Sequence, residues 1–103
     1  MWVSRTVEVN SDRRPHEPGK PYEQARRCLE IIAGAVQELG GQVSDILRTW
    51  MCVTDITAWP EIARAHSEVF AQHPPVTAMV EVSWLMSPDY VVEIEAEGVI
   101  TQS

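Results

Sequence analysis

At 103 residues, with a formal net charge of -7 and 45% hydrophobic residues, the chain has the size of one globular domain with a modest core. That charge repels a phosphate backbone, and no basic cluster is larger than the pairs Arg13-Arg14 and Arg26-Arg27, so nucleic-acid binding is not expected. No apolar run approaches the roughly 20 residues of a membrane span, and Met1-Trp2-Val3-Ser4-Arg5 lacks the basic and apolar regions of a signal peptide, so a cytoplasmic location without membrane contact is expected.

Residues 2–9 alternate, with Val3, Val7 and Val9 on one side and Ser4, Thr6 and Glu8 on the other, which predicts a strand; Arg5 stands on the valine side as the exception. Residues 10–20 carry two Pro, one Gly and mixed charge and read as a surface loop. Pro21 suits the first position of a helix. Tyr22, Ala25, Leu29, Ile32, Val36 and Leu39 then recur at helical spacing until Gly40-Gly41 ends it. A turn around Ser44-Asp45-Ile46 leads into residues 48–54, where Thr49, Met51 and Val53 alternate with Trp50 and Cys52. Both faces are mostly apolar, as in an interior strand. Thr57 is expected to cap a second helix with Pro60 in its first turn and Trp59, Ile62, Ala65 or His66, and Val69 as its buried stripe. That helix should stop before His73-Pro74-Pro75. Cys28, in a helix, and Cys52, in a central strand, are expected to be reduced, packed thiols.

The last third contains two further alternating runs, residues 79–84 and 91–100, joined by a loop with Ser87, Pro88 and Asp89, the pattern of an antiparallel hairpin. Pleating sends Val92, Ile94 and Ala96 to one face and Glu93, Glu95 and Glu97 to the other. The order β, α, β, α, β, β predicts an α+β fold, one mixed sheet whose two helices cover a single face. The carboxylate-bearing face is left for water, a cavity or another subunit, and a chain this small completes its burial readily by oligomerising.

Val3-Ser4, Pro21-Tyr22-Glu23-Gln24, the segment 47–55 ending in Val53-Thr54-Asp55, Met79-Val80-Glu81-Val82 and Val92-Glu93-Ile94-Glu95-Ala96 follow one family in order and at comparable spacing. By these residues the chain resembles the RidA/YjgF family over nearly its whole length, residues 1–103 forming one such domain. The resemblance implies a chorismate-mutase-like α+β fold and a homotrimer whose sheets line a central barrel, with helices outside. It also implies small-molecule clefts at the subunit interfaces. The best-known members hydrolyse reactive imines and enamines, releasing ammonia and a 2-oxo acid, with an Arg that clamps the substrate carboxylate and a Glu that positions water. No cofactor or metal is implied.

Matched residue by residue, that Glu corresponds to Glu93. The Arg has no counterpart: where the family reads Pro, small residue, Arg, this sequence has Pro75-Val76-Thr77. A hydroxyl gives one hydrogen bond where a guanidinium gives a charge and two fixed contacts, so ordinary 2-imino-acid deamination is not expected. The family's Val-Ser-Gly reads Val3-Ser4-Arg5 here, and the upstream strand usual in the family, with a Tyr of the site, is not contained in this sequence, which implies either a truncated start or a cleft built differently. Glu93 is thus the expected catalytic group, with Thr77, Met79 and Arg5 as substrate contacts. Arg5 reads either as a snorkelling edge residue or as a relocated anion clamp.

Glu95 and Glu97 are expected to be structural. His16, His66 and His73 form no metal-ligand spacing with either Cys, and Cys52 shows no nearby base that would make it a nucleophile. Trp50, Trp59 and Trp84 are expected in packing or subunit contacts. Two functions remain: a trimeric hydrolase of a small planar imine, enamine or acylated amine, or a trimer that binds a small metabolite without turnover, as a sensor. Ribonuclease action is not expected of so acidic a chain.

Overall fold

The computed structural model describes residues 3–10, 20–85 and 90–102. In chain order these hold strand β1 (Val3–Asn10), helix α1 (Pro21–Glu38), strand β2 (Ile46–Val53), helix α2 (Trp59–Phe70), strand β3 (Val76–Glu81) and strand β4 (Val92–Gln102), with 3₁₀ turns at Val43–Asp45 and Ile56–Ala58. The strands form a mixed sheet in the order β1-β4-β2-β3. β4 is antiparallel to both its neighbours, and β3 is parallel to β2.

The hairpin expected from residues 79–84 and 91–100 is not formed, because β2 lies between its two strands. Alternation identifies a strand but not its neighbour. The α2 crossover returns the chain parallel to β2 along one edge, which leaves the other edge for β4. The end of β2 is held from both sides: Thr54 N–H donates to the Val91 carbonyl at 3.2 Å and Val82 N–H to the Val53 carbonyl at 2.7 Å. β2 is therefore the interior strand its two apolar faces predicted. β3 ends at Glu81, before Trp84, which is 78% exposed. Ser87, Pro88 and Asp89 lie outside the described residues, as do residues 11–19 of the expected surface loop.

α1 begins on Pro21, where the missing N–H removes no helical bond. It ends as expected: Gly40 takes φ 88°, so that Gly41 N–H reaches the Val36 carbonyl at 2.9 Å and Gly40 N–H the Gln37 carbonyl at 3.0 Å. This paired reverse bonding requires a left-handed residue at the first position past the helix. Ala25, Cys28, Leu29, Ile32 and Val36 of α1 pack with Ile62, Ala65 and Phe70 of α2 against Met51, Val53, Val92, Ile94 and Ala96 of the sheet. Each large side chain so buried contributes about 1.5–3 kcal/mol. Both helices cover the same face, as predicted.

Three local expectations are corrected. Asp55, not Thr57, caps the turn ahead of α2: its carboxylate accepts from Thr57 N–H at 3.0 Å and from the Thr57 hydroxyl at 2.6 Å. The Asp55 carboxylate, two residues upstream, reaches that N–H, whereas Thr57 is itself inside the turn. Trp59 is 57% exposed rather than part of the buried stripe, which runs Ile62, Ala65, His66, Phe70; at the first position of α2 its ring lies off the sheet. β2 starts at Ile46 rather than residue 48, with an irregularity between Ile46 and Arg48. The extra residue, Leu47, is 58% exposed, and the slip lets Ile46 and Thr49 both face the core.

Candidate functional site

The sheet presents two chemically different surfaces. Register partners on adjacent strands share a face, so the pairs Arg48↔Glu97, Trp50↔Glu95 and Cys52↔Glu93 fix the side away from the helices, with Ala78 and Val80 of β3 completing it. Glu93, Glu95 and Glu97 are half-buried there, about 7 Å apart along the strand. Arg48 Nε is 3.8 Å from Glu97 Oε1, and its guanidinium stands 5.9 Å from the centroid of the Trp50 ring. Glu97 is thus engaged with Arg48, in keeping with a structural part. Trp50 is 36% exposed in the middle of this face.

Glu93 is placed differently from the other two carboxylates. β1 ends at Asn10 opposite Glu95, so Glu93 lies past the end of β1, and among the described residues a strand flanks it on the β2 side alone. Its register partner is the half-buried Cys52, a free thiol. Among the described residues no ion pair engages Glu93. The arrangement offers a half-buried carboxylate beside a small apolar row, Cys52 and Val80.

Thr77 projects to the other side. It is in register with Thr49 and Met79 with Met51, both on the helix-covered face. Met79 is partly buried against the core, while Thr77 is exposed on the edge strand. The Thr49 hydroxyl, 1% exposed, donates to Thr77 Oγ1 at 2.6 Å and lies 2.9 Å from His66 Nε2 on α2. His66 is stacked at a tilt on Phe70, ring centroids 4.6 Å apart. Burial away from water holds the His66 imidazole below its ordinary 6.5 and so favours the neutral ring.

The expected site residues therefore do not converge within one protomer. Thr77 and Glu93 occupy opposite faces. Arg5 is placed by register opposite Ile100 on β1, the far edge strand, three strand spacings or roughly 14 Å from β3. A groove of about 400 Å³ between Gln42, Val43, Glu68 and His73, and another of about 390 Å³ between Leu47, Pro75 and Val76, contain none of them. Among the described residues no cluster of three His, Cys, Asp or Glu is placed to hold a metal ion, and no helix is long and apolar enough to cross a membrane.

The polar row His66-Thr49-Thr77 was not anticipated from the sequence. Its members are 17 and 28 residues apart, and only the parallel pairing of β2 with β3 aligns the two threonines. A lone Thr among the apolar positions of β2, matched to a His on the buried stripe of α2, is the signal that could have indicated it.

Comparison with known proteins covers almost the whole chain. The profile of the family described as Endoribonuclease L-PSP matches residues 2–100. An uncharacterized protein of Streptomyces coelicolor is 29% identical over 80 residues, 78% of this chain, which spans 60% of that relative's length. A RutC family protein of Pyrococcus abyssi is 25% identical over 96 residues, 93% of this chain and 75% of its own. The crystal structure of a member of the highly conserved YjgF/YER057c/UK114 family from Mycobacterium tuberculosis superposes with a TM-score of 0.79 at 32% identity, covering 96% of this chain and 79% of the other.

Proposed function

Because the chain belongs to the RidA/YjgF family, whose profile carries the description Endoribonuclease L-PSP, we propose that it is a small-molecule hydrolase of the imine or enamine type. Its cleft would lie between copies of the chain in a homotrimer. The observation that carries this reading is Glu93: among three carboxylates on the open face, it sits past the end of β1, beside Cys52, with no ion pair engaging it among the described residues. The opposite faces of Thr77 and Glu93 support a site completed by two copies, one giving the carboxylate and the next its β3 edge.

In the proposed reaction a water oxygen adds to the carbon of a protonated imine while the Glu93 carboxylate takes one of its protons. That proton then passes to the nitrogen, and as the C–N bond breaks the remaining hydroxyl proton leaves through Glu93 to the departing ammonia. The sum is iminium plus water to ketone plus ammonium, with no other reactant. Positioned proton transfer of this kind is worth roughly 10²–10⁴ in rate, so Glu93→Gln should lower ammonia release from freshly generated imines by about 10² or more. Equal release by wild type and Glu93→Gln would refute the hydrolase.

A second reading is favoured by Thr77, which supplies a neutral hydroxyl where carboxylate-binding members carry Arg: a trimer that holds a small metabolite without turnover. Saturable binding with no ammonia release would select it. Ribonuclease action is disfavoured by the net charge of -7. Cys28 and Cys52, neither of them in a disulfide, suit a reducing compartment, which supports work in the cytoplasm.

A further inference from the structure

The hydrogen-bonded row from α2 to the edge strand has a direction. Thr49 carries one hydroxyl proton and stands between two partners, His66 Nε2 at 2.9 Å and Thr77 Oγ1 at 2.6 Å. With that proton given to Thr77, Thr49 must accept from His66, so the neutral imidazole carries its hydrogen on Nε2. The alternative tautomer, with the hydrogen on Nδ1, would make His66 Nε2 the acceptor and reverse the row. Thr49 is 1% exposed, so water does not compete for its lone pairs.

The consequence falls on Thr77. Its oxygen accepts from Thr49, and its own proton is free to point outward from an exposed position on β3. A hydroxyl that both accepts and donates along a chain is a better donor than an isolated one, because each bond polarises the next. It remains neutral. Arg48, adjacent to Thr49 in sequence, projects to the other face and engages Glu97. An ionised carboxylate brought out of water onto one neutral donor loses more hydration than the bond returns, whereas an amide or ketone oxygen needs one such bond.

We infer that the His66-Thr49-Thr77 row makes Thr77 a dedicated donor to an uncharged carbonyl oxygen, so the cleft takes a neutral acylated amine or ketone-like ligand in place of an amino-acid-derived carboxylate. This rests on the interfacial cleft proposed above and deepens it. His66 is a positioning residue, acting through Thr49.

The test uses the intact protein and two probes of nearly equal shape, 2-oxobutanamide and 2-oxobutanoate, with affinity read by calorimetry and the His66 ring read by ¹⁵N spectra. The ring should show a protonated Nε2 and a bare Nδ1 without ligand. The amide should bind about tenfold more tightly than the acid. Thr77→Val and His66→Phe should each weaken the amide roughly three- to tenfold with the acid unmoved. His66→Gln, whose amide N–H can replace the imidazole donor, should recover most of the loss. Thr77→Val, at an exposed position, reads the same donor should His66→Phe fail to fold. A hydrogen on Nδ1, an acid bound as well as the amide, or variants that behave as wild type would each overturn the inference. If both probes bind equally, the cleft stands and this inference alone falls; if neither binds, both fall.

Discussion

Thr77 and Glu93 project from opposite faces of one sheet, Thr77 in register with Thr49 on the helix side and Glu93 with Cys52 on the open side. Two residues so placed can serve one ligand only if they come from different copies. Each of Thr77→Val and Glu93→Gln, assayed alone, should then be defective. Mixed one to one and reassembled, the two variants should regain about a quarter of the wild-type sites, since a head-to-tail ring pairs an intact Glu93 with an intact Thr77 at that frequency. Ammonia release or probe binding that stays at the level of the separate variants would show that the two residues share no site.

The open face is expected to be the contact between copies. Trp50, 36% exposed amid Arg48, Glu95 and the Cys52 row, is the large aromatic that such a contact would cover. Trp50→Asp should shift the sedimentation coefficient from that of an assembly to that of a lone chain, with the far-ultraviolet spectrum unchanged. An unaltered coefficient would remove this face from the interface.

Gln24 is 2% exposed, and its Oε1 accepts from Val91 N–H at 2.8 Å, tying α1 to the residue before β4. Replacing it by Leu keeps the apolar contact but strands that N–H. Urea unfolding of Gln24→Leu should show a loss of about 2 kcal/mol, within the range for an unpaired buried donor.

Two glycines should respond oppositely to the same methyl. A Cβ at Gly98 would stand 2.2 Å from the Asp45 carbonyl oxygen, where β4 passes the turn ahead of β2, while one at Gly34 meets nothing within 4 Å. Gly98→Ala forces backbone apart and should cost about 2–3 kcal/mol. Gly34→Ala, in the exposed middle of α1, should stabilise by roughly 0.5–1 kcal/mol. Thermal or urea midpoints of the two variants check both signs.

Burial holds His66 below 6.5 in the folded state, so below that pH the unfolded chain takes up a proton the folded one refuses. The contribution of the neutral ring is complete above the unfolded value and is lost as pH falls from 6.5 toward the folded value. The urea midpoint should therefore decline between about pH 7 and pH 5.5, and His66→Gln should flatten that decline. An equal slope in both proteins would assign it elsewhere.

The faces of the sheet were legible because period-two alternation is a strong signal: Val92, Ile94 and Ala96 are buried and Glu93, Glu95 and Glu97 are not. α1 was legible from its apolar stripe and its Gly40-Gly41 stop. Strand neighbours were not, since the sequence distance from β3 to β4 is shorter than that from β2, yet the α2 crossover decides the order. The convergence of His66, Thr49 and Thr77 depends on that parallel register, so it was hidden with it. Glu93 could be named from the resemblance, but its place past the end of β1 follows from the β1–β4 register, which no local pattern encodes.

Among the described residues β1 pairs only with β4, Val3 opposite Gln102 and Asn10 opposite Glu95. On a ribosome adding about 5–20 residues per second, β1 waits several seconds for β4 to be made, while β2 already has β3 along one edge. The unpaired edge of β1 is most open to wrong pairing in that interval.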